Sequence, residues 1–267
     1  MNKVIVKQGK NGYRLVMESL AGLDLSISAI KNKRILIKPN AGRMVGAGTG
    51  INTSPEVVAG VIDYFLNSGI NNIMIGESPI LGVRALEALE ECGIAEVARK
   101  RDIPLIDLDK EEPVIVDISD GEVIKTLKIC RKVIEADYVV SVPVMKTHMH
   151  TQVSLGIKNL KGCLYKREKV KLHQLSFSDD KEYFGKPLDY AIADMSIVLK
   201  PDLTVIDGTI GQEGLGPSAG NPIKTGLVVS SEDCLSADTT AALLMGYELS
   251  EIAHLKLISE KKQRESM

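Results

Sequence analysis

A chain of 267 residues, 44% hydrophobic and 25% charged, has the make-up of a folded globular protein and excludes disordered and fibrous classes. A formal net charge of −2 with both signs interspersed offers no field for nucleic acid or an acidic membrane surface. No apolar run approaches the roughly 20 residues of a membrane helix and no opening segment reads as a secretory signal, so a cytoplasmic location is expected.

The length allows one large α/β unit or two lobes, about residues 1–135 and 136–267, sharing one cleft. In chain order, Val4–Val6 reads as a short strand and Gly12–Ile30 has helical spacing at Leu15, Val16, Leu20 and Leu23. Arg34–Lys38 is a strand closed by Pro39 and Asn40. A loop over residues 41–52 follows, with Gly42, Gly46, Gly48 and Gly50. Two helix starts fit the next segment: Thr53 with Glu56 as a capping box, or Ser54 followed by Pro55 in the first turn. That helix ends near Ser68, at Gly69.

A strand at Asn72–Ile75 leads into Gly76-Glu77-Ser78, and helical segments run to Lys100. Leu105–Leu108 is another strand. Val114–Leu127 alternates around Asp120-Gly121, which signals an inserted hairpin. After a short helix near Val133, an apolar, β-branched run starting at Val139 empties into Lys146, Thr147, His148 and His150. Leu155–Gly162 has helical character, Lys166–Asp180 reads as a polar surface excursion, and Leu188–Leu199 as a helix. A strand at Leu203–Ile206 runs into Asp207-Gly208, Leu227–Val229 is the last strand, and Cys234–Met245 and Ser250–Lys261 are closing helices. The alternation predicts an α/β fold: a doubly wound, mainly parallel sheet with helices on both faces, a second smaller α/β lobe and the small hairpin.

Ligands of such sheets collect at the carboxyl ends of the strands. Lys38–Asn40, Glu77 with Ser78, Lys146–His150, and Asp207 with Glu213 all fall at such ends. Polar loops are common in their own right, and it is the convergence of several of them on one sheet edge that argues for a site. The glycine-rich loop before the helix starting at Ser54 resembles a phosphate cradle, although its spacing matches neither dinucleotide nor Walker patterns. Lys146, Lys158 and Lys161 are the amines able to clamp a carboxylate or phosphate, and one of them, desolvated, becomes a base or nucleophile. His148 and His150, two apart on an extended segment, face one side and form a candidate pair of ligands for a divalent metal, with His173, Glu77 or Asp207 as a third. His254 reads as a structural or surface residue. The four cysteines, Cys92, Cys130, Cys163 and Cys234, are widely spaced and expected to be reduced; Cys163, next to Lys161-Gly162, is the one where cations would favour a thiolate.

Ile37-Lys38-Pro39-Asn40, Thr53-Ser54-Pro55-Glu56-Val57-Val58, Gly76-Glu77-Ser78, Glu135-Ala136-Asp137, Val142 through His148, Gly156-Ile157-Lys158-Asn159-Leu160-Lys161-Gly162, Ala237-Asp238 and Leu244-Met245-Gly246 together resemble the family called domain of unknown function 362, from about Arg34 to Leu255. Members of that family often carry or are fused to ferredoxin-like iron–sulfur domains, and their activity is generally unassigned. This chain has no clustered cysteines and no ferredoxin extension before Met267, so the resemblance implies a ferredoxin-like redox partner in a separate chain and not an intrinsic cluster. A more distant similarity, to the catalytic lobe of nickel-dependent lactate racemase, places Val142–His148 and Gly156–Gly162 at that enzyme's loop and Lys-containing segment. It implies His148 as a metal or proton-transfer residue and Lys158 or Lys161 as a cofactor anchor.

The combined expectation is an isomerase-like or oxidoreductase-like enzyme that binds a small carboxylate or phosphate. Lys146, His148, His150 and Lys158 are its catalytic candidates, and Lys38, Asn40, Glu77, Ser78, Thr147, Asn159, Lys161, Asp207 and Glu213 its binding candidates. A non-catalytic accessory protein of an iron–sulfur or redox pathway is the alternative.

Overall fold

The computed structural model describes residues 2–177 and 182–265. Among these residues twelve strands form: β1 (Ile5–Gln8), β2 (Ile35–Pro39), β3 (Ile73–Glu77), β4 (Leu105–Asp107), β5 (Val114–Asp117), β6 (Thr126–Ile129), β7 (Tyr138–Val142), β8 (Val144–His148), β9 (Gln152–Ser154), β10 (Leu203–Glu213), β11 (Asn221–Ile223) and β12 (Leu227–Ser231). Ten of them build one sheet whose spine runs β1-β12-β10-β7-β2-β3-β4. From β10 to β4 the pairings are parallel, while β12 and β1 close the far edge antiparallel. β7, from the second half of the chain, is inserted between β10 and β2, so strands from residues 1–135 and 136–267 share this one sheet.

Both faces are covered, as the fully buried patterns of β2 and β7 demand. Leu15, Val16, Leu20, Val57, Val61 and Phe65 of helices Gly12–Leu23 and Pro55–Asn67 pack with Ile35, Ile37, Val140 and Val205 on one face. Leu188, Ile192, Met195, Ala237, Ala241 and Leu255 of helices Pro187–Val198, Cys234–Leu244 and Ala253–Glu265 pack with Leu36, Ile206 and Val229 on the other. The α/β, mainly parallel architecture read from the alternation of elements is therefore observed.

Several local details differ from the sequence reading. Helix Pro55–Asn67 is capped by Ser54, whose side chain accepts the Glu56 N–H; Thr53 instead accepts the Asn40 N–H and donates to Val142 O. The hairpin exists as a separate two-stranded sheet, β5–β6, but its strands close at Asp117–Thr126 and not tightly around Asp120-Gly121. The Val139 run is two strands. Pro143 lacks the N–H a central ladder needs, so β7 stops at Val142 and β8 swings out to pair with the distal half of β10, opposite Asp207 and Gln212. β10 correspondingly extends to Glu213, well beyond Ile206. Of the polar excursion over 166–180, Glu168–Lys171 and Leu172–Gln174 form short helical turns; positions 178–180 lie outside the described residues.

Candidate functional site

The break at Pro143 opens a cleft of about 450 Å³ at the carboxyl ends of β2, β3 and β7. Lys38, Asn40, Glu77, Ser78, Lys146, His148, Lys158, Asn159 and Lys161 all line it, so most of the residues read as binding or catalytic candidates do meet. Arg43, Lys169 and His173 join them, and Pro143, Val144, Leu155 and Val170 supply apolar wall.

The floor is a buried ion pair. Lys38, only 1% exposed at the end of β2, places Nζ 2.8 Å from Glu77 Oε1 and donates to Pro39 O at 2.6 Å. Glu77 also accepts the N–H groups of Ala41 (2.8 Å) and Ser78 (2.9 Å), which satisfies a carboxylate that would otherwise be costly to bury. Asn159 closes this layer: its amide donates to Lys38 O (3.0 Å) and Ser141 Oγ (3.1 Å). The chain must pass very close here. A Cβ on Gly162 would stand 2.6 Å from Lys38 Cε and 2.8 Å from Glu77 Oε1.

Above the floor sit three amines; among the described residues Glu77, already paired with Lys38, is the single acidic residue of the lining, and Asp189, outside it, is a carboxylate whose charge reaches Lys158. Lys146, on β8, donates to Asn40 Oδ1 and Ile51 O, both at 2.7 Å. Burial, with Arg43 and Lys38 nearby, pushes it down to about 7. Lys161, half-buried, lies 2.6 Å from His173 Nε2 and is pushed down to about 8, again mainly by desolvation. Lys158 is 8% exposed and, among the described residues, its Nζ has no hydrogen-bond or ion-pair partner. Desolvation and the neighbouring Lys161 and Lys146 hold it well below the ordinary lysine range.

Lys158 and Asn159 ride on the short helix Gly156–Asn159, which a buried carboxylate holds in place. Asp238 accepts the N–H groups of Gly156 (2.7 Å) and Ile157 (2.9 Å), and burial raises its carboxyl to about 7 even against those two bonds. Gly156 is required there: a Cβ would meet Cys234 Sγ and Thr204 Cγ2 at 2.7 Å.

His148 Nδ1 accepts the His150 N–H at 3.1 Å, which assigns the ring proton to Nε2. Desolvation and the surrounding lysines push this imidazole down to about 2, so it is a neutral N–H donor at any working pH. His150 is exposed, its ring 5.7 Å from His148 and 5.8 Å from His173, and it does not line the cleft. Among the described residues no group of three or more His, Cys, Asp or Glu side chains converges as a metal site. With His148 Nδ1 already engaged and amines dominating the lining, the donor set fits an anion and does not fit the nickel implied by the racemase similarity or another divalent cation held by His148 and His150.

Other candidates stand apart. Asp207 turns away: its carboxylate accepts the Ser54 N–H (2.7 Å) and both the N–H and hydroxyl of Thr209. The helix start that read as part of a phosphate cradle is thus already occupied by the protein's own carboxylate. Thr147 donates to Gly214 O (2.9 Å), and Glu213 is exposed at the end of β10. The glycine loop contributes Arg43 and the Ile51 carbonyl, with Asn52 organising it through bonds to Arg43 O and Val45 O. His254 is fully buried, 3.6 Å from Asp189. All four cysteines are free and buried. Lys38 and Lys169 do pull the Cys163 thiol toward ionisation, but burial outweighs them and pushes it up to about 12, so the expected thiolate does not form.

Arg43 and Lys169 carried no distinctive sequence signal, one lying in a glycine loop and the other in a stretch read as solvated surface. Lys169 bonds to Ser78 O and Oγ and lies 3.5 Å from Asp109, drawing the 168–174 segment over the cleft.

Residues 35–243 match the family described as domain of unknown function, DUF362. The chain belongs to the DUF362 family. It is 29% identical over 225 residues to the thylakoid-associated protein sll1697 of Synechocystis, a match covering 84% of this chain and 66% of that protein. In fold it is similar to the lactate racemase apoprotein of Thermoanaerobacterium thermosaccharolyticum, with a TM-score of 0.57 and 12% identity over 90% of this chain. The chain spans 56% of that racemase's length. No helix among the described residues of this DUF362 chain is long and apolar enough to cross a membrane.

Proposed function

We propose that this DUF362 protein is an enzyme that binds a small carboxylate or phosphate in the cleft and carries out acid–base chemistry on it. The observation that supports this reading is the convergence of Lys146, Lys158 and Lys161 on a cleft whose single carboxylate is already neutralised by Lys38. Lys146 is fixed by Asn40 and Ile51, and Lys161 by His173, which suits both to clamp an anion. Lys158, whose burial favours loss of its proton, is the candidate base, and His148 supplies a neutral Nε2–H donor for an oxygen that gains charge. The racemase of similar fold acts on lactate, a small carboxylate of the same charge class.

Titration calorimetry with oxalate and with pyrophosphate tests the anion site. Each charge-assisted hydrogen bond is worth about 1.5–3 kcal/mol, so Lys146→Met and Lys161→Met should each weaken binding by about tenfold or more. Binding that is unchanged in both folded variants would overturn the proposal.

A further inference from the structure

Five lysines line the cleft: Lys38, Lys146, Lys158, Lys161 and Lys169. Four are committed. Lys38 is paired with Glu77, Lys146 donates to Asn40 and Ile51, Lys161 contacts His173, and Lys169 is tied to Ser78 and Asp109. Lys158 alone is buried at the cleft wall with its amine engaged by nothing among the described residues. It lines the cleft, so a ligand that enters meets this amine without having to displace a protein partner.

An anion alone would be served as well by a fourth fixed ammonium. What sets Lys158 apart is this free position at the cleft wall, where burial and the neighbouring Lys161 and Lys146, against the opposing charge of Asp189, lower its proton affinity and so favour its use as a nucleophile. The electrophile that matches a neutral amine next to anion clamps is a carbonyl carbon bearing a carboxylate. His148 supplies the remaining element, a neutral Nε2–H able to hydrogen-bond a carbonyl oxygen without competing for the amine's proton.

Resting on the anion-site reading above, we infer that Lys158 forms an imine with a small 2-oxo acid whose carboxylate is held by Lys146 and Lys161. The Lys158 lone pair adds to the carbonyl carbon, the C=O π pair moves to oxygen, and that oxygen takes up a proton as the nitrogen loses one, giving a carbinolamine. Departure of the hydroxyl with a further proton releases one water and leaves C=N at Nζ. No oxidation or reduction occurs. The protonated imine then acts as the electron sink for loss of a proton from the carbon next to it, which gives the acid–base chemistry a defined substrate class.

Glyoxylate is the probe, being the smallest 2-oxo acid, and oxalate is its counterpart without a reactive carbonyl. The intact protein is incubated with glyoxylate and cyanoborohydride at pH 7, digested, and each lysine scored by peptide mass spectrometry for a single carboxymethyl addition. Lys158 should be labelled at least about tenfold faster than exposed lysines such as Lys31, and oxalate should suppress that label while leaving Lys31 unaffected. If oxalate binds by calorimetry but Lys158 is labelled no faster than Lys31, the imine is overturned and the anion site stands. If oxalate neither binds nor protects, both fall.

Discussion

Anion binding to this cleft should draw protons from solution, in an amount that depends on pH. With Lys146 pushed down to about 7 and Lys161 to about 8 in the free protein, at pH 8 they carry roughly 0.1 and 0.5 of a positive charge. A carboxylate between them restores the ordinary lysine range near 10.4, and both become charged. Oxalate stays fully ionised throughout this range and contributes no protons of its own. Binding at pH 8 should therefore take up about 1.4 protons through these two residues, and only about 0.1 at pH 6, where both are already charged. The sign follows: the bound state holds more protons, so affinity falls as pH rises. Integrated from pH 6 to pH 8, the apparent Kd of oxalate should rise about 20-fold, or about 1.8 kcal/mol. Calorimetry in buffers of different ionisation enthalpy reads the proton number directly. The difference between the two pH values, about 1.3 protons, is the diagnostic quantity for Lys146 and Lys161. Equal uptake at pH 6 and pH 8 would refute the account of Lys146 and Lys161.

Glu77→Gln leaves Lys38 buried without its charge partner and should cost about 3–5 kcal/mol in denaturant unfolding; a loss below about 1 kcal/mol would show that the pair is not buried as described. Gly162→Ala should cost about 1–3 kcal/mol and weaken oxalate binding, because the new methyl displaces Lys38 and Glu77; wild-type stability and affinity together would contradict the close approach. Asp238, raised to about 7 in the fold against an ordinary carboxyl near 3.9, favours the folded state in its protonated form. It contributes a loss of stability as pH climbs from about 4 to about 7, and Asp238→Asn should remove that component, so that the variant's stability curve is flatter over this window than the parent's; parallel curves would count against it. Cys163, buried and pushed up to about 12, should resist iodoacetamide in the native protein at pH 8 and react only after unfolding, with native alkylation the contrary result.

Much of the cleft was legible because it follows strand ends. The apolar runs at 35–38 and 73–76 terminate in Lys38 and Glu77, and a parallel sheet brings adjacent carboxyl ends together, so their pairing is a consequence of strand order. Lys146 and His148 were found for a different reason than the one expected. They lie not beyond the end of the buried strand but on β8, which Pro143 diverts toward β10, and the diversion is what creates the space they line. Asp207 shows the limit of the strand-end argument. It follows an apolar run as Glu77 does, yet β10 continues past it and its carboxylate turns to cap the neighbouring helix. Nothing local distinguishes the two; only the length of β10, set by its pairing with β8 and β11, does. Lys169 was hidden because a lysine in a polar stretch reads as solvated, and only the fold of 168–174 against Ser78 reveals otherwise.

A net charge of −2 conceals how uneven the electrostatics are. Holding Lys146 at about 7 means that its charged form is destabilised in the fold by about 5 kcal/mol relative to water, and Lys158 adds a further penalty. Packing gains nothing from this: an apolar side chain of similar length would fill the same wall without the cost. A chain that accumulates amines around one cleft, and spends a second buried carboxylate, Asp238, on positioning the helix that carries one of them, departs from the arrangement that stability alone would favour. Such departures concentrate where a ligand restores the balance. On the anion-site proposal, a bound anion would turn the mutual repulsion of Lys146 and Lys161 into attraction, so that the energy withheld from folding reappears as affinity.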